Sequence, residues 1–242
     1  MDITYESLFE RIRESPLEHI GGYSPQLIFS YFVGYEHGIR HYGKPAPKGF
    51  GPHEQRLWSL QTPNANPASV SELMTDTDAD AFDLFFAFYR RALDNPKEIQ
   101  PGTVEYEKID QTLTEFVLGE SIRKRPAMYF GNEKWLPNLW AFCSGYLWAE
   151  RDMGITDSAD RQTFNGFQAW LDERYPFAKG RNWGKLMSYL GLGSSRQALD
   201  KFYDHFETFL EGTPPDGQTK QCREWIQAVL ENVKERGERG EL

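Results

Sequence analysis

The chain contains two diverged copies of one sequence pattern, and this duplication limits its possible folds more than any other feature. The first copy reads RIRESPLEHIGG from Arg11, and the second reads SIRKRPAMYFG from Ser121. Four identical residue types keep one register across the two segments: Ile12, Arg13, Pro16 and Gly21 align with Ile122, Arg123, Pro126 and Gly131. The period of roughly 110 to 117 residues is far longer than the 20 to 50 residues of a solenoid repeat. The sequence therefore predicts a duplicated domain.

The match continues beyond this motif into the helix that follows it. Gly34-Tyr35 corresponds to Gly145-Tyr146, and both copies carry a small residue at every fourth position: Ser30, Gly34 and Gly38 in the first, Ala141, Gly145 and Ala149 in the second. A stripe of small residues on one helical face lets another backbone approach closely. Farther along, DAFDLFFAFYRRAL corresponds to QALDKFYDHFETFL, and Phe50 and Trp58 correspond to Phe167 and Tyr175.

The spacing of apolar residues is helical throughout, and runs that alternate polar and apolar residues are scarce. We therefore expect an all-α protein with two tandem, duplicated helical subdomains that form a pseudo-symmetric pair. The predicted domains are residues 1–95 and 105–212, and the Pro- and Gly-containing stretch 94–105 joins them. Residues 218–236 have amphipathic spacing and predict a C-terminal helix that docks onto the body.

Composition favours a cytoplasmic protein with a protein partner. The N-terminus has no cationic segment followed by an apolar run, and the most apolar segment, 27–35, is far shorter than the roughly 20 residues of a membrane span. The net charge of -9 argues against a nucleic-acid partner and suits a partner with a basic surface, although mild acidity also simply favours solubility. The two cysteines form no C-x-x-C motif and predict reduced thiols.

The segment RKRPAMYFG resembles the RKRPGMYIG segment of the DNA gyrase B subunit family, where it precedes an ATP-binding domain. That fold also has an Asn-bearing helix, an Asp-x-Gly-x-Gly loop and a glycine-rich lid, and none of them follows here. We therefore expect a structural role, in which Pro126 and Gly131 fix a turn. In that turn Met128, Tyr129 and Phe130 would insert apolar side chains between helices.

No residue pattern predicts a cofactor, a metal or a catalytic site. His37 and His41 lie four residues apart beside Glu36, which would place two imidazoles on one helical face, but no H-E-x-x-H motif is present. A pair of polar histidines near a helix end is the alternative. His53 and His205 lack a nearby nucleophile motif such as G-x-S-x-G.

A broader pattern runs through both halves. It comprises an R-P-x-M-Y-x-G turn, a helix with Gly-Tyr, an F-x(7)-Y segment, an N-W-G-K helix and an A-x-D-x-F-aromatic helix. In the second copy these features occupy 125–131, 145–146, 167–175, 182–185 and 198–203. The pattern resembles bacterial immunity proteins of polymorphic and Rhs-type secreted toxins. The resemblance implies a non-catalytic cytoplasmic protein that neutralises a cognate toxin by binding it.

Toxins that act on nucleic acids or nucleotides often have basic clefts, so acidic residues on this chain would speed association and block access to the cleft. The candidate partner-binding residues are the acidic Glu72, Asp76, Asp78 and Asp80, and the aromatic Trp135 and Tyr175 if they are exposed. Helix capping is the alternative role for the three aspartates. Two other functions stay open: a generic interaction or regulatory protein, and an enzyme with a His37/His41 site.

Overall fold

A computed structural model describes residues 4–45, 82–83, 85–87, 107–130, 135–192 and 194–215. The elements within these residues are all helical, which confirms the all-α prediction for this part of the chain. The predicted linker 94–105, the predicted C-terminal helix 218–236 and the second cysteine, Cys222, lie outside the described residues. No helix in the described ranges combines the length and the apolar character that crossing a bilayer requires.

Most of the described residues lie in α-helices. In order they are α1 (Tyr5–Glu14), α2 (Pro16–His19), α3 (Pro25–His41), α4 (Leu113–Leu118), α5 (Glu120–Lys124), α6 (Pro126–Phe130), α7 (Trp135–Asp152), α8 (Ala159–Arg174), α9 (Trp183–Leu190) and α10 (Ser195–Leu210). A short 3-10 helix covers Pro176–Ala178 between α8 and α9. Residues 82–83 and 85–87 are also helical.

The chain divides into two compact units. Unit 1 comprises Met1–Val117 and Asn138–Ser158, and unit 2 comprises Leu118–Pro137 and Ala159–Leu242. Unit 1 therefore draws on both predicted repeats, because residues 138–158 belong to the second one.

The first helix of unit 1 begins at a capping box. The Thr4 side chain accepts a hydrogen bond from the Ser7 backbone N–H, and the Ser7 hydroxyl lies 3.2 Å from the Thr4 backbone nitrogen. Helix α1 buries one apolar face, and the Phe9 ring stacks on Phe32 of α3 with centroids 5.2 Å apart. The side chains of Phe82, Phe85 and Phe86 are buried in the same core. After α2 the chain reverses at Gly21, whose φ of 74° is the positive value expected of a glycine at this turn.

The stripe of small residues brings α3 and α7 into backbone contact within unit 1. A Cβ added to Gly34 would overlap the backbone carbonyl of Phe142, and a Cβ added to Gly145 would overlap the carbonyl of Tyr31. The predicted close approach of a second backbone is therefore confirmed at both glycines. The buried Ser30 hydroxyl adds a hydrogen bond of 3.0 Å to the Asn138 side-chain oxygen.

Unit 2 has an aromatic core between α8, α9 and α10. The Phe167 ring lies 5.0 Å from Phe206, and Trp183 lies 4.8 Å from Phe202, measured between ring centroids. Helix α10 begins at Ser195 and is capped by Ser194, whose side chain accepts a hydrogen bond from the Gln197 backbone N–H.

Within the RKRPAMYFG segment, residues 126–130 form a short helix rather than only a turn, and Gly131 lies outside the described residues. Pro126 stands at the first position of α6, where its missing N–H costs nothing. Pro126 and Phe130 are four residues apart on one face and are buried. Met128 and Tyr129 therefore point away from that face, and they are 72% and 40% exposed. The prediction that these two side chains insert between helices is wrong, whereas it is confirmed for Phe130.

Candidate functional site

The sequence-predicted partner-binding residues fall into three groups. The acidic residues Glu72, Asp76, Asp78 and Asp80 lie outside the described part of the chain. Trp135 is half-buried at the start of α7. The sequence predicts that Tyr175 contacts a partner only if its side chain is exposed, and that side chain is only 4% exposed. Its side chain fills the interior of unit 2, so Tyr175 offers no surface to a partner.

Tyr175 is held by a buried histidine. The Nδ1 atom of His205 lies 2.7 Å from the Lys201 carbonyl, which can only accept a hydrogen bond, so Nδ1 carries the proton. The other ring nitrogen, Nε2, lies 2.5 Å from the Tyr175 hydroxyl, which donates to it when the ring is neutral. Burial lowers the pKa of His205 to about 4, so the neutral ring is the stable form near pH 7. This pair is a satisfied polar contact inside the core.

The two histidines of the predicted metal-site alternative lie on one side of α3. Both rings lie beside Tyr146, with centroid distances of 5.9 Å for His37 and 6.1 Å for His41. His37 is buried, and its Nε2 atom lies 3.3 Å from the Gln111 carbonyl oxygen. The neighbouring Glu36 carboxylate is paired with Arg40 at 3.4 Å. Within the described ranges no three potential metal-ligating side chains come together.

A half-buried ion pair joins α1 to α7 in unit 1. The Arg11 guanidinium donates to both carboxylate oxygens of Asp152, at 3.1 and 2.8 Å, and the Tyr35 hydroxyl donates to Asp152 at 3.0 Å. Burial lowers the pKa of Arg11, but the hydrogen bond and charge of Asp152 outweigh it and raise the pKa overall. Burial, followed by the Asp152 charge, raises the pKa of Tyr35. Tyr35 therefore stays a neutral donor and Arg11 a cation, which stabilises the carboxylate between them.

Two buried polar atoms beside this ion pair have no hydrogen-bond partner among the described residues. They are the hydroxyl oxygen of Tyr31 and the Nδ1 atom of His19. The His19 ring lies 4.4 Å from Trp148 and 6.2 Å from Tyr31, between ring centroids. Burial lowers the pKa of His19 and raises the pKa of Tyr31. Both side chains are therefore uncharged near neutral pH, which limits the cost of their missing partners.

The three cations of the gyrase-like segment are Arg123, Lys124 and Arg125, and each either contacts other residues of unit 2 or is exposed to solvent. The Arg123 guanidinium pairs with Glu207 at 2.7 Å and lies 4.3 Å from the centre of the Tyr203 ring. Lys124 pairs with Glu120 at 2.6 Å, one helical turn away. Arg125 ends α5 through a backbone hydrogen bond to Ser121, and its side chain is exposed. Two of the three cations therefore already have anionic partners inside unit 2.

Unit 2 has an exposed surface at α6 whose residue composition is typical of a protein-binding site. It consists of Arg125, Met128 and Tyr129, and we call it the α6 surface. All three residue types are enriched at protein interfaces. Met128 is unbranched and adapts its shape, so it suits contact with another protein.

The exposed side of α9 is a second such surface. It consists of Lys185 and Tyr189 within α9, Arg181 just before the helix and Leu192 just after it, and we call it the α9 strip. Tyr189 is 45% exposed and Leu192 is 53% exposed. The Arg181 guanidinium lies 5.3 Å from the centre of the Tyr189 ring, and the Leu192 backbone N–H donates to the Tyr189 carbonyl at 3.1 Å. The opposite face of α9 is buried through Trp183, Leu186, Met187 and Leu190.

Sequence reasoning did not identify the α9 strip, although a signal was available. Lys185 and Tyr189 are four residues apart and face away from the apolar positions of the same helix. The ion pair of Arg11 and Asp152 had no comparable signal, because 141 residues separate them. Comparisons with family models, with curated proteins and with solved structures found no match to this chain.

Proposed function

We propose that this chain is a non-catalytic immunity protein that binds a cognate secreted bacterial toxin and blocks its active site. The observation that carries this proposal is the α6 surface. Met128 and Tyr129 lie outside the core, although burying them would stabilise the fold by about 1.5 kcal/mol or more each. The same two residues form the centre of the R-P-x-M-Y-x-G motif on which the resemblance to immunity proteins rests. A role in binding accounts for both facts.

Charge supports a partner with a basic surface. The chain carries a net charge of -9, which accelerates association with a cationic protein. We assign the acidic contacts to Glu72, Asp76, Asp78 and Asp80, and we keep Trp135 as an aromatic contact. Tyr175 is left out because it is buried. The proposal places the protein in the cytoplasm and gives it neither a nucleic acid nor a membrane as partner.

We also propose that the two repeats form a pseudo-symmetric pair. The contacts between α3 and α7 support this, because they are reciprocal. Gly34 approaches the carbonyl of Phe142, and Gly145 approaches the carbonyl of Tyr31. In the register of the repeats Gly34 corresponds to Gly145 and Tyr31 corresponds to Phe142. Each contact therefore becomes the other when the two repeats are exchanged. A two-fold arrangement of equivalent helices gives this reciprocity.

The test is capture of the partner from the cells that make this protein. The tagged full chain is isolated, washed at high salt, and the retained proteins are identified by mass spectrometry. The proposal expects one co-purifying protein that is bound at nanomolar strength and whose toxic activity the chain abolishes. A retained protein that keeps its activity in the complex would indicate a generic interaction protein instead, and capture of no stoichiometric partner would contradict the proposal.

Substitutions on the α6 surface connect this result to the structure. Met128→Ser combined with Tyr129→Ser is expected to weaken toxin binding at least tenfold, because exposed Met and Tyr side chains commonly dominate interface energetics. Leu17→Ser is the matched control, since Leu17 is an exposed apolar residue of unit 1. Equal affinity of the double variant and the control would exclude the α6 surface from the interface.

A further inference from the structure

We infer that the α9 strip is a docking surface for an acidic segment of a partner protein. The strip combines an aromatic ring and a cation on the exposed side of α9, Tyr189 and Lys185, with a second cation before the helix, Arg181, and an aliphatic side chain after it, Leu192. This inference does not depend on the toxin proposal, because the cationic strip repels the basic partner proposed above and requires a partner of opposite charge.

The positive charge of the strip indicates a partner with negative charge. Neither Arg181 nor Lys185 forms an ion pair within the part of the chain that the structure describes, and both side chains are exposed. Lys124 and Arg196, by contrast, are exposed cations of unit 2 that pair with Glu120 and Asp200. A chain with a net charge of -9 thus keeps two uncompensated positive charges next to an exposed tyrosine. Carboxylates of a partner would complete this site.

The backbone at the end of the strip supplies a second, independent observation. Leu192 has a φ of 54°, the left-handed conformation that Gly or Asn usually adopts after a helix end. A leucine in this conformation is strained, and the side chain is not buried in the core in return, because more than half of its surface is exposed. Strain retained at an exposed apolar side chain is typical of a residue kept for binding.

The strip is held in place before any partner arrives. The Gln168 side chain of α8 donates to the Arg181 carbonyl at 3.0 Å and accepts from the Trp183 backbone N–H at 2.9 Å. Asn182 caps α9 by accepting from the Lys185 backbone N–H at 2.8 Å. Binding therefore requires little ordering of the backbone, which favours affinity.

The partner class follows from these features together. Tyr and Arg are the residue types that most often anchor protein partners. The expected ligand is an extended or helical segment in which Asp or Glu residues flank one apolar side chain. Nucleic acid offers the same negative charge, but its binding sites are usually broad basic faces, and the strip holds only two cations.

The experiment is selection from an unbiased peptide-display library on the full-length protein. We expect selected peptides to be enriched in Asp and Glu next to an aromatic or aliphatic residue. We expect a chemically synthesised selected peptide to lose at least tenfold in affinity on Arg181→Gln with Lys185→Gln. Lys44→Gln with Lys201→Gln removes the same charge outside the strip and is expected to leave the affinity unchanged.

A second variant separates binding from folding. Leu192→Asn relieves the backbone strain, so it is expected to raise the melting temperature while weakening peptide binding several-fold. Selected peptides without acidic enrichment, or equal binding to both double variants, would overturn the inference. So would a single-stranded DNA oligonucleotide that binds the strip more tightly than the peptides do, or a chain that dimerises through the strip.

Discussion

At the residue scale, replacing either of two tyrosines of α3 by phenylalanine is expected to change the free energy of unfolding in different ways. The Tyr31 hydroxyl is buried with no partner among the described residues, whereas the Tyr35 hydroxyl donates to Asp152. Tyr31→Phe removes an unsatisfied group, so the free energy of unfolding is expected to stay constant or to rise by about 1 kcal/mol. Tyr35→Phe is expected to lower it by about 1.5–3 kcal/mol, because it breaks a hydrogen bond to a charged group. Urea unfolding of both variants measures the difference, and a larger loss for Tyr31→Phe would refute it.

His205 predicts how stability depends on pH. Its pKa is lowered to about 4 in the folded state, against about 6.5 in the unfolded chain. Between these values the unfolded state binds more protons, so the stability contribution is present above pH 6.5 and is lost as pH falls toward 4. The loss is on the order of 2–3 kcal/mol.

The matched measurement uses His205→Gln, which cannot titrate in this range. Its free energy of unfolding is expected to fall less steeply between pH 6.5 and pH 4 than that of the wild type. In the wild type, the His205 ring signals in a proton NMR titration are expected to stay constant down to about pH 5. Titration of that ring near pH 6.5 would show that burial does not control its pKa.

Leu192 gives a third prediction at this scale. Leu192→Asn places a residue that tolerates the left-handed conformation at a φ of 54° and replaces a side chain that is more than half exposed. The free energy of unfolding is expected to increase by about 0.5–1 kcal/mol in thermal or urea unfolding. A decrease would mean that the Leu192 side chain stabilises unit 2 despite its exposure.

At the element scale, the crossing of α3 and α7 depends on glycine. Gly34→Ala and Gly145→Ala are each expected to destabilise the protein by about 3 kcal/mol or more, because the added methyl group meets a backbone carbonyl that cannot rotate away. Gly166→Ala is the control. Its added methyl group would meet only the tip of the Phe209 ring, at 3.1 Å, and alanine is the better helix former. The control is expected to be nearly neutral, and equal melting temperatures for all three variants would contradict the close approach.

The sequence could predict some features at the scale of the elements, but it could not predict others that depend on the packing of the helices. Small residues at every fourth position predicted that α3 accepts a second backbone, because that property depends only on local side-chain volume. The exposure of Met128 could not be predicted in this way. Five residues form less than two helical turns, so periodicity cannot decide which face of α6 is buried. The Arg11–Asp152 pair depends on the tertiary fold, and no local pattern encodes it.

At the scale of the whole molecule, the two surfaces of unit 2 that we propose for binding have different origins in the sequence. The α6 surface comes from the repeated motif, and the sequence identified its residues but assigned them to the interior. The α9 strip comes from one amphipathic helix and a strained loop residue, and the sequence left it unassigned. In both cases the sequence did not show whether these side chains are buried or exposed, since that depends on how neighbouring helices pack.

The central claim is that this chain neutralises a toxin by binding it, and growth rescue tests that claim most directly. The protein captured by the tagged chain is produced in a bacterial host with and without this chain, and colony formation is counted. The account predicts that the captured protein alone stops growth, that the chain restores growth fully, and that the Met128→Ser, Tyr129→Ser variant restores it incompletely. A captured protein that is harmless alone, or growth arrest that the wild-type chain does not relieve, would contradict the account.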